Sequence, residues 1–255
     1  MTKRGVVSCM EMNEQRAEVK ASFARVFGSA GEAPRMMGLL KAFWPFMVIC
    51  LLLGYLLRAV APVPVFSVSQ LGLLFILLAV AGMVLLAWGN RRLGNYLKGA
   101  KGEEWVAREL AFLPSQFAVF HGVRLPGGAY NFDHILVGPG GVFVVETKNW
   151  SGRVEFREGE TWVDGKRINR SPLRQVKGEA TELLTYFKEQ GEEEVRVQTV
   201  LCFLGSELAE PIANVNGVVV CDGGALTDVL TGELNEEFDP AVLAQAEQLL
   251  IPLVG

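Results

Sequence analysis

The stretch FDHILVGPGGVFVVETKNW, residues 132–150, holds the side chains of this chain best suited to chemistry. Two runs of β-forming residues flank GPGG, a pattern that folds back on itself as an antiparallel hairpin. A two-residue turn at Pro139-Gly140 pairs Val137 with Val142, and counting back along that ladder brings Asp133 opposite Glu146. Strand side chains alternate faces, so Asp133, Ile135 and Val137 share a face with Val142, Val144, Glu146 and Lys148. Opposed side chains have Cβ atoms roughly 4.5–5.5 Å apart, and like charges there repel. Two facing carboxylates call for a cation, and an all-oxygen donor set suits Mg²⁺ or Mn²⁺. Lys148 either neutralises the pair or polarises a water and an incoming phosphate. The plainer alternative is a surface hairpin with its charges in solvent. Against it, the shared face otherwise reads Ile, Val, Val, Val, an inward face on which an unpaired charge costs several kcal/mol.

The elements that must hold this hairpin follow from Gly99 onward, where the pattern becomes α/β. The spacing predicts a helix over Lys101–Leu113, strands at FAVFHGV, FDHILV and VFVVETK, and a helix from Pro172 to about Gln190. Further strands are expected near VQTVLCFL and GVVVCD, with helical stretches at the end. Strand-helix alternation mixed with a hairpin implies an α/β sheet covered by helices. In the first helix Glu103 falls on the inward stripe with Val106, Ala107 and Leu110, while Glu104 and Arg108 form an exposed i,i+4 pair. Ser171 and Pro172 have the form of an N-cap followed by N1. Gln175 then sits in the first turn beside the stripe Val176, Ala180, Leu183 and Phe187, where it reaches the hairpin face or solvates the helix end.

Taken in order, KGAKGEEWVARELAFL, RLPGGAYNFDHILVGPGGVFVVETKNWSG and NRSPLRQVKGEATELL closely resemble the NERD (nuclease-related) domain, itself similar to the PD-(D/E)xK nuclease superfamily. The resemblance covers about Gly99–Leu184 and continues with weaker motifs toward the C-terminus. It implies a restriction-endonuclease-like mixed sheet flanked by helices over residues 97–255. It also implies a Mg²⁺-dependent or Mn²⁺-dependent nuclease that hydrolyses phosphodiester bonds of DNA or RNA. The family pattern marks Glu103, Asp133, Glu146 and Lys148 of the ExK pair, and Gln175 of P-x-x-Q, with Asp133 and Glu146 as metal ligands and Lys148 near the attacking water. Phe132 stands where the superfamily name places a proline, at a position that supplies no ligand. The alternative is a catalytically inactive module on the same fold, binding nucleic acid or a protein partner.

Charge is unevenly distributed. Lys98 to Lys188 is nearly balanced, whereas from Gln190 to Gly255 Arg196 is the one basic residue among many acids, so that end repels nucleic acid. Lys166, Arg167, Arg170, Arg174 and Lys177 cluster around the Gln175 helix, as phosphate contacts or as an ordinary solvated face. Cys9, Cys50, Cys202 and Cys221 are scattered without a CxxC pair, which speaks against a disulfide framework and for a reducing compartment. His121 and His134 look too few and too isolated for a histidine metal site.

Half of the residues are hydrophobic although 20% are charged, and the apolar excess is concentrated between Ala42 and Asn90. At roughly 1.5 Å per residue, uncharged Ala42–Leu57 falls slightly short of a hydrocarbon core of about 30 Å, and Arg58 can extend it by snorkelling. Leu71–Trp88 is long enough alone, with Pro62 and Pro64 breaking the pattern between the runs. This predicts a two-helix transmembrane hairpin over residues 42–90, following a segment over residues 1–41 without evident chemistry. Arg35 and Lys41 before it, and Arg91, Arg92, Lys98 and Lys101 after it, place both termini on the cytoplasmic side of the cell (inner) membrane, with Trp44 and Trp88 at one leaflet.

Overall fold

The computed structural model describes residues 23–60, 67–232 and 238–254. Residues 32–100 form one compact unit and the described residues on either side of that range form another. The first unit is helical, with α1 at Glu32–Val60 and the start of α2 at Val68–Ala111. Pro45 lies within α1 and does not end it. The turn expected at Pro62 and Pro64 lies outside the described residues, as do most of residues 1–41 and the side chains of Arg35, Lys41, Trp88, Arg91 and Arg92. Phe43, Trp44, Met47, Leu51, Leu52 and Tyr55 of α1 are exposed, as are Leu73, Phe75, Ile76, Leu77 and Met83 of α2. Among the described residues no helix is long and apolar enough to cross a membrane, so the transmembrane hairpin expected over residues 42–90 is not supported by the structure.

The helix bounds also differ from expectation. One helix ending near Asn90 and another starting at Lys101 are replaced by the single α2. The intervening GNRRLGNYLKGA contains no proline. Its glycines cost about 1 kcal/mol each in a helix without stopping it.

The second unit is a mixed sheet in the order β1-β2-β3-β4-β7-β9-β8. Its strands are β1 Arg25–Phe27, β2 Ala118–Val123, β3 Phe132–Gly138, β4 Gly141–Arg157, β7 Val197–Leu208, β8 Ile212–Val215 and β9 Val218–Asp222. Short β5 Glu160–Val163 and β6 Lys166–Arg167 continue from the far end of β4 as a ribbon. β4, β7 and β9 run parallel, joined in part through α3 at Pro172–Glu189, whereas β2-β3-β4 is an antiparallel meander. Edge strand β1 pairs in parallel with β2. Phe27 stacks on Phe120 with centroids 4.8 Å apart, and Arg25 pairs with Glu247.

Both faces are covered, as the α/β pattern requires. Ile135, Val144 and Leu201 pack beneath Val176, Leu183 and Phe187 of α3, and the same core takes in Val242, Ala246 and Leu250 of α5, Pro240–Leu250. On the other face Leu136, Phe143 and Val145 meet Val106 and Leu110 from the last turns of α2, together with Leu226 and Leu230 of α4, Leu226–Thr231. The cysteines Cys50, Cys202 and Cys221 are free, Cys202 and Cys221 being buried partners on β7 and β9.

Candidate active site

The β3-β4 hairpin turns tightly at Pro139-Gly140, and the rest of the fold holds that turn: Gln198 Nε2 donates to the Gly140 carbonyl at 2.7 Å and the Phe238 N–H to the Pro139 carbonyl at 2.8 Å. Gly138 pairs with Gly141, Val137 with Val142, and His134 with Val145, which places Asp133 opposite Glu146 one step further. Gly141 allows this turn because it adopts φ +113°, and a Cβ there would meet the Arg196 carbonyl oxygen at 2.9 Å. Beyond the ladder the backbone N–H of Thr147 donates to Asp133 Oδ2 at 3.1 Å, drawing that carboxylate toward β4.

Glu146 is almost wholly inaccessible, at 2% exposure, and continues the apolar row of Val142 and Val144. Its compensation comes from two directions. Lys148 Nζ donates to Glu146 Oε1 along the same strand, and Gln175 Nε2 donates to that oxygen from α3 at 2.7 Å. Gln175 Oε1 in turn accepts from Lys148 Nζ at 3.1 Å. Gln175 therefore reaches the hairpin face rather than solvating the helix end. Ser171 is the N-cap and Pro172 opens the helix, but the Ser171 hydroxyl makes no capping hydrogen bond and is buried without a partner.

Glu103, on α2, accepts from the backbone N–H of Gly31 at 3.1 Å. It lies close enough to the hairpin for its charge to be felt by Asp133. A fourth carboxylate, Glu179, was not singled out by the sequence pattern. It is 1% exposed and accepts from Gln175 Nε2 at 2.8 Å. Its signal was the i,i+4 spacing from Gln175, three residues after buried Val176.

The electrostatics follow from four carboxylates converging on one described ammonium. Burial first, then the charge of Glu146, pushes Glu103 up to about 7. The same two causes push Glu179 up to about 8. Asp133 is held well above the ordinary carboxylate range by burial and by Glu146 and Glu103. Burial works against the Lys148 charge, yet the fields of Glu146 and Asp133 outweigh it and raise its pKa. Among the described residues no group of three or more His, Cys, Asp or Glu side chains forms a ready metal cage. Two carboxylate oxygens, Glu146 Oε2 and Glu179 Oε2, are nevertheless buried with no hydrogen-bond partner. An oxygen donor set carrying excess negative charge and unsatisfied lone pairs fits a small, hard divalent cation.

The basic cluster is divided. Arg167 on β6 and Arg174 on α3 both face Glu160 of β5, at 3.1 and 3.5 Å, so their charge is partly spent in fastening the ribbon to the helix. Arg170 and Lys177 are exposed, as is Lys166. The histidines, isolated in the sequence, are neighbours in the fold. His121 and His134 pair across β2 and β3 with their Nδ1 atoms 2.8 Å apart. Burial lowers His121 to about 4, and burial together with the neighbouring His121 lowers His134 well below its ordinary value, so a neutral pair shares one ring N–H.

Residues 98–204 match the family model of the nuclease-related domain, NERD. Over 118 residues the chain is 32% identical to the probable kinase PglW of Streptomyces coelicolor, an alignment covering 44% of this chain and 7% of that protein. It is 35% identical over 98 residues to an uncharacterized protein of Bacillus anthracis, covering 36% of this chain and 46% of the relative. The chain thus spans less than half the length of these curated relatives, and no solved structure matches it.

Protons held by Glu103 and Glu179 give the site a pH signature. Unfolded glutamates release theirs near the ordinary value of 4.5, while the folded chain keeps them to about 7 and about 8. Between those limits the native state binds more protons, so stability falls as pH rises through the window. Below about pH 6.5 the buried histidines, neutral in the fold but protonated when unfolded, pull the other way, so thermal denaturation of the chain without added metal should give a melting temperature that declines from about pH 6.5 to about pH 8, with a shallower decline for Glu179→Gln. A melting temperature that is flat or rising over that range contradicts the assignment.

Proposed function

We propose that the chain is a divalent-metal-dependent nuclease held at the cytoplasmic face of the cell membrane by its helical unit. The observation that carries the catalytic part is Glu146: a carboxylate on the inward face, opposite Asp133, with Lys148 on one oxygen and the other oxygen buried without a partner. The nuclease-related domain at residues 98–204 supports the same class of chemistry. Asp133 and Glu146 would hold Mg²⁺ or Mn²⁺. Bound there, such an ion supplies Lewis-acid activation of water and stabilisation of phosphate charge.

The chain's own groups have separable roles. Lys148, cationic and partly buried, neutralises Glu146 and offers its ammonium to a phosphate oxygen of the nucleic acid. Gln175 holds Lys148 and Glu146 in one arrangement from the opposite element. Glu103, on α2, holds its proton up to about pH 7. Arg170 and Lys177 are exposed contacts for the phosphate backbone, with Arg167 and Arg174 contributing what Glu160 leaves.

Incubated with single-stranded and double-stranded DNA and RNA in Mg²⁺ or Mn²⁺, the full chain should cut at least one of them, and Lys148→Ala should lower the rate about 10²–10⁴-fold. No cutting of any substrate, or undiminished cutting by the variant, overturns the enzymatic reading. A second reading, an inactive module that binds nucleic acid or a protein partner, draws support from the way Lys148 already compensates Glu146 without an ion. Calorimetry separates the two, since the nuclease binds Mn²⁺ with heat that Glu146→Gln abolishes.

The membrane part rests on the uncharged runs Ala42–Leu57 and Leu71–Trp88 and on the apolar side chains that α1 and α2 expose. Although neither helix, among the described residues, is long and apolar enough to cross a membrane, these apolar runs would hold the chain in contact with the lipid bilayer with both flanks on one side. In fractionated cells the chain should stay with membranes through washing in high salt and alkaline carbonate, and require detergent for release. Recovery in the supernatant without detergent contradicts the anchor.

A further inference from the structure

The inward stripe of α3 runs Leu173, Val176, Leu183 and Phe187, and an aliphatic residue would suit the position between them. Glu179 stands there instead, 1% exposed, on a surface where burying a carboxyl is costly. Its placement answers to Gln175. A side-chain amide has two donors on nitrogen and one acceptor oxygen. In Gln175 one N–H goes to Glu146 Oε1 at 2.7 Å and the other to Glu179 Oε1 at 2.8 Å, while the oxygen accepts from Lys148 Nζ at 3.1 Å. Turning the amide over would aim its oxygen at two carboxyls and its N–H groups at an ammonium.

We infer that Glu179 is a positioning residue of the site. By occupying the second N–H of Gln175, it fixes the amide so that Glu146 Oε1 is committed to protein donors and Glu146 Oε2 stays open to a cation. Glu146 Oε2 is buried and receives no N–H donor, while the Glu179 carboxyl lies within hydrogen-bonding reach of Glu146. Glu179 touches neither substrate nor cation in this role and acts through Gln175 and through its own contact with Glu146. The inference deepens the nuclease reading and rests on it only for its cation-binding consequence.

The test uses the full chain and two substitutions, Glu179→Gln, which keeps an oxygen acceptor at the same reach, and Glu179→Leu, which keeps the volume and removes the acceptor. In the chain without metal, the side-chain N–H signals of Gln175, identified by their loss in Gln175→Glu, should both be protected from solvent exchange. Glu179→Gln should keep that protection, and Glu179→Leu should lose it at one proton. Mn²⁺ affinity measured by calorimetry should fall about 10–100-fold in Glu179→Leu and stay close to the parent in Glu179→Gln, the size of effect that supporting contacts around a metal site carry. Equal protection in parent and Glu179→Leu overturns the inference, as does a Gln variant no better than the Leu variant. Should the parent bind no Mn²⁺ at all, the nuclease reading fails while the exchange measurement still decides whether Glu179 orients Gln175. Should Glu179→Leu fail to fold, exchange at Gln175 in Glu179→Gln decides alone: unchanged protection supports the role and lost protection overturns it.

Discussion

A carboxylate buried on the inward face of a sheet is the constraint around which this domain is organised. Glu146 extends the apolar row of Val142 and Val144 into a place where water does not reach. An isolated charge there would cost several kcal/mol, and ion pairs in such settings contribute little net stability because desolvation offsets attraction. The hairpin alone supplies Asp133, which makes the electrostatics worse, and Lys148, which makes them better. The remaining balance comes from α3, whose Gln175 donates to Glu146, accepts from Lys148 and leans on Glu179. A site this expensive to bury makes physical sense where its charges do chemistry, as perturbed carboxyls clustered at functional sites generally do.

The architecture delivers these groups from separate elements to one end of the sheet. The hairpin contributes Asp133, Glu146 and Lys148, the last turns of α2 contribute Glu103 from one side, and α3 contributes Gln175 and Glu179 from the other. The parallel partner β7 then continues β4 past the site, where the register shifts between Asn149 and Gly152 and the ribbon of β5 and β6 begins. Glu160, facing Arg167 and Arg174, fastens that ribbon to α3. Positioning of the carboxylate face and presentation of the basic side chains therefore share the same helix.

What was legible in the sequence was local. The hairpin register could be read because GPGG admits a tight turn and the flanking residues alternate with period two. Glu103 and Gln175 could be placed because amphipathic periodicity assigns an inward stripe. Long-range pairings were not legible. Edge strand β1 is three residues long and is separated from β2 in the sequence by residues 32–100, so no local pattern marks it. His121 and His134 meet only because the intervening loop lets β2 lie against β3 in one particular register. Glu179 was hidden by its chemistry, since a glutamate on a helix is ordinarily a solvated residue and only the packed structure shows it facing inward. The extent of α2 was missed because glycines weaken a helix without ending it.

The central claim is that Asp133 and Glu146 serve one cation, with Glu146 Oε2 as the oxygen held open for it. Anomalous diffraction from crystals of the full chain grown with Mn²⁺ tests this most directly. The account predicts one strong peak bonded to carboxylate oxygens of both Asp133 and Glu146 at roughly 2.0–2.4 Å, with Lys148 and Gln175 still on Glu146 Oε1. No peak at the hairpin, or manganese bound to one carboxylate with the other turned away, would contradict it.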